Sequence, residues 1–308
     1  MRDERRLAGS IGREESGVLK FRLISGVLIG AAFLALALFA PPAGLCLVLV
    51  LVSAFAQLEF YRLANFGEIP VFRYFGVVFG MALITVTALT VGPAPEQLAA
   101  AHKWQNVVLM ISLLVVFIRQ FPQKNNDKPI ATIACTLLGI WYVPFLLNFF
   151  TYLALEWTPG GFLAKENPTG KLLVLYPIIV VKMSDIGAYF TGRAMGRHKL
   201  FLRISPGKTW EGLAGGTVAS LIASVLFVHF NHYQLGTVQF GLTHAIALGV
   251  LLALVGVVGD MFESLLKRAS GLKDSSALIP GMGGILDVLD SLLFTAPVFY
   301  MYLRLFVS

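Results

Sequence analysis

Two pairs of carboxylates carry the chemistry available to this sequence. Asp287 and Asp290 stand three residues apart, as do Asp260 and Glu263, and residues at that spacing share one face of a helix. Two such faces turned toward each other bring several hard oxygen donors to one point. Mg²⁺ favours that setting, in which one or two carboxylates bind and the other positions go to water and phosphate oxygens. Aspartates in a first helical turn can also merely balance the helix dipole, but Asp290, a full turn deep, exceeds what capping requires. Cations stand nearby: Lys267 and Arg268 follow the earlier pair, and Lys273 and Asp274 lie in the next loop. Lys267 comes four residues after Glu263, which by itself reads as a helix-surface ion pair worth about 0.2–0.5 kcal/mol.

Two stretches have the makings of a phosphate grip. Pro280-Gly281 and Gly283-Gly284 flank Met282 just before the last apolar segment, so backbone N–H groups there can approach an anion at a helix N-terminus. Residues 204–212, ISPGKTWEG, lie in the most basic loop with Arg193, Arg197, Lys199, Arg203 and Lys208 beside the aromatic Trp210. Gly207-Lys208-Thr209 looks like the end of a P-loop, but Leu202 stands where the first glycine belongs, so it is not a Walker motif. Other chemistries lack their residues. His198 is the one histidine near these groups, while His102, His229, His232 and His244 fall toward the other face, which argues against a histidine metal site. Cys46 and Cys135 sit in apolar runs and read as packing residues, and no Gly-x-Ser-x-Gly elbow is present.

These residues have to be positioned by elements that live in lipid. The chain has 308 residues, 57% hydrophobic and 13% charged, far more apolar than soluble domains. Nine runs are long enough to cross a bilayer: 23–40, 43–61, 74–92, 105–121, 130–155, 172–195, 213–230, 242–266 and 286–306. The expected fold is an all-α polytopic membrane protein. With the N-terminus cytoplasmic and the C-terminus extracytoplasmic, only Lys103, Lys165, Lys171 and Arg304 of the 24 basic residues fall outside, as the positive-inside bias requires. Loop charge of that kind explains the net +7 without any nucleic-acid partner. Residues 1–22 read as a cytoplasmic leader followed by a retained anchor rather than a cleaved signal. Residues 23–170 read as an N-terminal bundle and 171–308 as a C-terminal catalytic region.

The division at 170 rests on where the acids fall. Before it, carboxylates sit in loops or beside span ends; after it, Asp185, Asp260, Glu263, Asp287 and Asp290 enter the spans, where ionisable groups are costly and mark function. In this orientation Asp185 lies about 20 Å along its span, and all five converge on the cytoplasmic side. An ion-coupled transporter, the reading from another class, needs ionisable groups near mid-membrane and favours internal repeats; neither is visible.

The ordered series Ser264-x-x-Lys267-Arg268, Lys273-Asp274 and Pro280-Gly281-x-Gly283-Gly284-x-x-Asp287-x-x-Asp290 resembles the signature of the phosphatidate cytidylyltransferases. Upstream, Ser184-Asp185-x-Gly187-Ala188-Tyr189 and Ile204-Ser205-Pro206-x-Lys208-Thr209-Trp210-Glu211-Gly212 are similar to that family as well. The match covers about 182–291 and departs at Met282 and Val288, where the family usually has histidine and arginine. The resemblance implies that CTP and phosphatidate yield CDP-diacylglycerol and pyrophosphate at a multi-pass protein of the cytoplasmic membrane. It implies catalytic Asp260, Asp287, Asp290 and Lys267, and Mg²⁺ on Asp185, Asp260, Asp287 and Asp290, with a second cation left open. Substrate binding falls to Arg268, Lys273, Asp274, Ser264, Ser205, Lys208, Thr209, Gly283 and Gly284. A CTP-dependent lipid kinase or a degenerate paralogue are the neighbouring alternatives, and a homodimer is compatible with the sequence.

Overall fold

The computed structural model describes residues 40–124, 126–272, 275–276 and 283–307. The helices are α1 Pro42–Phe66, α2 Arg73–Thr90, α3 Pro95–Gln120, α4 Pro129–Ile140, α5 Phe149–Leu155, α6 Pro168–Met195, α7 Trp210–Phe230, α8 Leu242–Ala269 and α9 Ile285–Phe306. A π-turn at Trp141–Phe145 containing Pro144 joins α4 to α5, so Pro129–Leu155 is one span. Among the described residues eight segments are long and apolar enough to cross a membrane, and the chain is an all-α multi-pass membrane protein. The expected leader 1–22 and the first expected span, 23–40, lie outside the described residues save for Ala40. The other eight expected spans each coincide with an observed one.

Helix starts follow from local chemistry. Proline opens α1, α3, α4 and α6, where its missing N–H costs nothing and its fixed φ suits the first turn. Asn167 caps α6 by accepting from Gly170 N at 2.8 Å, and Thr209 caps α7 by accepting from Gly212 N at 3.1 Å. Both α6 and α8 have 28 residues, roughly 42 Å of helix against about 30 Å of hydrocarbon. Their ends therefore reach the headgroup layer, and charged side chains there need not sit in oil.

Lipid gives helices no hydrophobic reason to associate, so contact relies on small residues and hydrogen bonds. Gly187 packs on Ala219, and Gly216 on Ser184, between α6 and α7. Ser220 Oγ donates to Gly249 O at 2.7 Å and Ser224 Oγ to Ala245 O at 2.6 Å, tying α7 to α8. At Gly259 an added Cβ would stand 2.5 Å from Asp290 O, so α8 and α9 cross almost backbone to backbone. In the N-terminal half, Asn148 Nδ2 donates to Thr87 Oγ1 at 2.9 Å, and Tyr152 OH to Gln105 Oε1 at 2.6 Å. The last helix, α9, touches α1, α5, α6 and α8 and so joins the two halves.

The segment expected to be a basic loop is ordered. Lys199–Phe201 (β1) pairs antiparallel with Ser205–Thr209 (β2), matching Lys199 to Thr209 and Phe201 to Ser205. A second short pair, Gln234–Leu235 with Val238–Gln239, closes the turn between α7 and α8. Glu211, at the start of α7, holds the first hairpin in place: its carboxylate accepts from Arg197 N at 3.1 Å and His198 N at 3.2 Å, and meets His198 Nδ1 at 2.7 Å.

Candidate active site

The site is assembled where the C-terminal ends of α1, α6 and α8 meet the N-terminal end of α9. Along α8, Asp260, Glu263 and Lys267 are spaced three and four apart and so share a face. The close crossing at Gly259 brings that face against the first turns of α9. Among the described residues, Asp260, Glu263 and Asp290 form a group whose ligand oxygens all lie within 4.8 Å of one another. Glu263 has no exposed side-chain surface, and its Oε1 is buried without a hydrogen-bond partner among the described residues. Its pairing with Lys267, read from sequence as a helix-surface contact, is therefore corrected. The 2.5 Å contact is enclosed, with Lys267 itself only 13% exposed, because α9 covers this face.

Asp287 has different surroundings. Its Oδ1 meets Lys267 Nζ at 2.7 Å, and its Oδ2 accepts from Gly284 N at 2.6 Å, Ser275 Oγ at 2.7 Å and Ser275 N at 3.2 Å. It organises the turn that leads into α9. The two glycines before it are needed for that turn. Gly283 has φ +94° and any Cβ there would collide with the Asp287 carboxylate, while a Cβ at Gly284 would collide with Ser275 Oγ and Glu59 Oε2.

Glu59 overturns one expectation. Carboxylates before residue 170 were expected in loops or beside span ends, yet α1 continues to Phe66 and Glu59 is 1% exposed inside the protein. It accepts from Ser276 Oγ at 2.5 Å, Leu286 N at 2.8 Å and Ser275 Oγ at 3.4 Å. A helix N-terminus leaves its first N–H groups unpaired, and a carboxylate brought from α1 answers one of them.

A cavity of about 520 Å³ lies beside the acid cluster and is roofed by the hairpin. Its wall includes Asp185, Tyr189, Arg193, Lys208, Thr209 and Asp260. Lys208 Nζ reaches Asp260 Oδ2 at 2.6 Å, and Arg193 Nη1 donates to Tyr189 OH at 2.8 Å. Asp185 stands on this wall, 3.2 Å from Lys182 Nζ. Lys182 also reaches Val288 O at 3.2 Å and Ser291 Oγ at 3.3 Å, bridging α6 to α9.

Of the residues singled out from sequence, Asp260, Asp290, Lys208, Asp185, Lys267 and Asp287 are thus brought to one end of the bundle. Thr209 is nearly buried and serves as the α7 cap. Ser205 lies in β2 and Ser264 on α8, both half-buried, and Arg268 is exposed at the end of α8. Lys273, Asp274, Pro280, Gly281 and Met282 lie outside the described residues. Three groups of the site are not among those singled out from sequence: Glu59, Ser275 and Lys182. Lys182 could have been found by the argument applied to the aspartates, since it too interrupts an apolar run.

Residues 20–306 match the sequence model described as the cytidylyltransferase family. The chain is 33% identical over 301 residues to the phosphatidate cytidylyltransferase of Haemophilus influenzae, covering 94% of this chain and 100% of that protein. It is 30% identical over 286 residues to the phosphatidate cytidylyltransferase of Staphylococcus aureus, covering 91% and 97% respectively. A shorter similarity, 43% over 135 residues, relates 44% of this chain to 43% of the uncharacterized protein YnbB of Escherichia coli.

Proposed function

Because this chain belongs to the cytidylyltransferase family, we propose that it converts CTP and phosphatidate to CDP-diacylglycerol and pyrophosphate. The observation that carries the reading is the acid cluster of Asp260, Glu263 and Asp290 beside a basic cavity, both at one end of a membrane bundle.

The donor set suits a hard divalent cation, which we take to be Mg²⁺. Three carboxylates converge, and Glu263 Oε1 is buried without a hydrogen-bond partner among the described residues. Asp260, Glu263 and Asp290 would hold the ion, leaving positions for water and phosphate oxygens. When bound, the cation supplies neutralisation of triphosphate charge and polarisation of the α-phosphorus. Asp287, with both oxygens already engaged, keeps Lys267 and the turn before α9 in register. Asp185 lines the cavity next to the cluster.

The reaction needs little proton chemistry from the protein. Phosphatidate is a phosphomonoester whose second ionisation falls near pH 6, so its oxygen attacks the α-phosphorus directly. The new O–P bond forms as the bond from the α-phosphorus to its bridging oxygen breaks, and pyrophosphate leaves with that electron pair. What remains for the chain is positioning and charge, which supply most of the catalysis in phosphoryl-type transfer. Lys208 and Arg193 line the cavity and grip the nucleotide's phosphates, while Lys267 holds Glu263 and Asp287 in place.

The basic residues Arg73, Arg119, Lys128, Arg193, Arg197, Lys199, Arg203 and Lys208 flank the ends of spans nearest the site, which supports a cytoplasmic site by the positive-inside bias. The test uses purified protein, phosphatidate, Mg²⁺ and CTP carrying one label in the cytosine ring and another on the γ-phosphate. The ring label should enter the organic phase. Entry of the γ-phosphate label alone would make the protein a lipid kinase, and entry of neither would end the reading.

A further inference from the structure

Lys182 is an ammonium that directly follows the apolar run LLVLYPIIVV of α6, 13 residues before the helix ends at Met195, or roughly 20 Å along the axis. It lies well below the hairpin that roofs the nucleotide-sized cavity. A lysine at such depth is costly unless it faces a partner. Its partners are Asp185 Oδ2 at 3.2 Å, Val288 O at 3.2 Å and Ser291 Oγ at 3.3 Å. All are long for an ammonium, since charge-assisted contacts settle near 2.7–2.9 Å. The other two site lysines are held more tightly, Lys208 at 2.6 Å from Asp260 and Lys267 at 2.5 and 2.7 Å from Glu263 and Asp287. Lys182 is also the most open of the three, with 36% of its side chain exposed against 22% and 13%. A loosely held, partly open cation beside the acid cluster is one that an incoming anion can take.

What lies beneath it indicates which anion. Ile178, one turn earlier on the same face of α6, packs with Leu45, Leu49 and Val52 of α1 and Leu289 and Leu292 of α9 around a gap of only about 20 Å³. Each of these is apolar, and Leu289 and Leu292 directly follow the two α9 residues that Lys182 touches. A phosphate reached from this side would come with a hydrocarbon tail, not a ribose.

We propose that Lys182 receives the phosphate of the lipid substrate. This rests on the transferase reading and separates the two phosphate grips: Lys208 and Arg193 for the nucleotide, Lys182 for the lipid.

Lys182→Ala and Lys182→Arg are assayed with CTP and phosphatidate in mixed micelles. The alanine variant should raise the KM for phosphatidate about tenfold while the KM for CTP stays within about twofold, a loss of binding to one substrate only. The arginine variant should recover most of the loss. An unchanged phosphatidate KM in the alanine variant, or an equal rise in both KM values, overturns the assignment, the latter being what loss of a brace between α6 and α9 would produce. If wild-type protein transfers no cytidylyl group, the transferase reading fails by itself, and Lys182 is judged by binding. Dioctanoyl-phosphatidate should then raise the Tm of wild type and not of Lys182→Ala, with dioctanoyl-phosphatidylcholine as the control, and equal shifts in the two proteins would reject the proposal.

Discussion

Glu59 accepts a hydrogen bond from the backbone N–H of Leu286 at 2.8 Å, across 227 residues of chain. That bond ties the second half of α1 to the first turn of the helix that carries Asp287 and Asp290. Glu59→Ala would leave Leu286 N without its acceptor in a buried place, a loss of about 1–3 kcal/mol. The expected outcome is a lower Tm in detergent together with reduced turnover. Glu59→Gln keeps one carbonyl oxygen and should retain clearly more of both. Equal, wild-type behaviour of the two variants would remove Glu59 from the support of the site.

Asp260 and Asp290 contribute oxygens to one cluster from two helices, so each should be needed for the cation rather than for folding. Asp290→Asn and Asp260→Asn should cut kcat by about a hundredfold or more, as losing one electrostatic group at a reacting phosphate does. The same variants should need more Mg²⁺ to reach half of their remaining activity. Chelation with EDTA should abolish wild-type turnover and added Mg²⁺ should restore it. A variant with an unchanged Mg²⁺ requirement is not missing a ligand.

The spans, and the end of the bundle at which the acids gather, could be read from sequence because both depend on short-range patterns: apolar length, and charge at the ends of runs. The i,i+3 spacing of Asp260 with Glu263 and of Asp287 with Asp290 likewise needs only one helix each. What could not be read is which faces turn toward one another. Gly259 decides that α9 covers Glu263 and converts a surface-looking ion pair into an enclosed one. Glu59 looks like a span-end charge until a partner 227 residues away is known. Asp287 and Asp290 share a spacing but not their surroundings, because Lys267 and the turn before α9 engage the two oxygens of Asp287 while Asp290 accepts only from Ser291 N, at 2.5 Å, among the hydrogen bonds of the described residues.

Lys267 stands between Glu263 and Asp287 at 2.5 and 2.7 Å, so its loss and that of Asp287 should not add. Lys267→Met leaves two buried acids facing each other, and Asp287→Asn leaves the lysine with one partner. Each single variant should lose activity, and the double variant should lose less than the product of the two. Residues sharing one ion pair show coupling of about 0.5–3 kcal/mol. Strict additivity in kcat/KM would mean that the two act independently.

Gly259→Ala tests whether the crossing of α8 and α9 sets the cluster. The added Cβ would stand 2.5 Å from Asp290 O and 3.1 Å from Ser291 Cα, so backbone has to yield, not a flexible side-chain tip. Overpacking of this kind costs about 1–3 kcal/mol, which the bundle should survive, and the protein should remain monodisperse in detergent. Activity should nonetheless fall by about tenfold or more, since a shift of one ångström between helices is enough to misplace converging groups.

Glu211 separates the roof from the floor of the site. Its carboxylate holds the backbone N–H groups of Arg197 and His198 and so fixes the hairpin that carries Lys208 to the cavity. It lines neither the cavity nor the acid cluster. Glu211→Ala should therefore loosen the roof without altering the acids: the KM for CTP should rise by about tenfold, while the Mg²⁺ requirement and the KM for phosphatidate stay near wild type. Glu211→Gln keeps an acceptor for one of the two N–H groups and should fall between. A rise in the phosphatidate KM equal to that for CTP would mean that the hairpin serves both substrates, and that the division of the two phosphate grips between Lys208 and Lys182 does not hold.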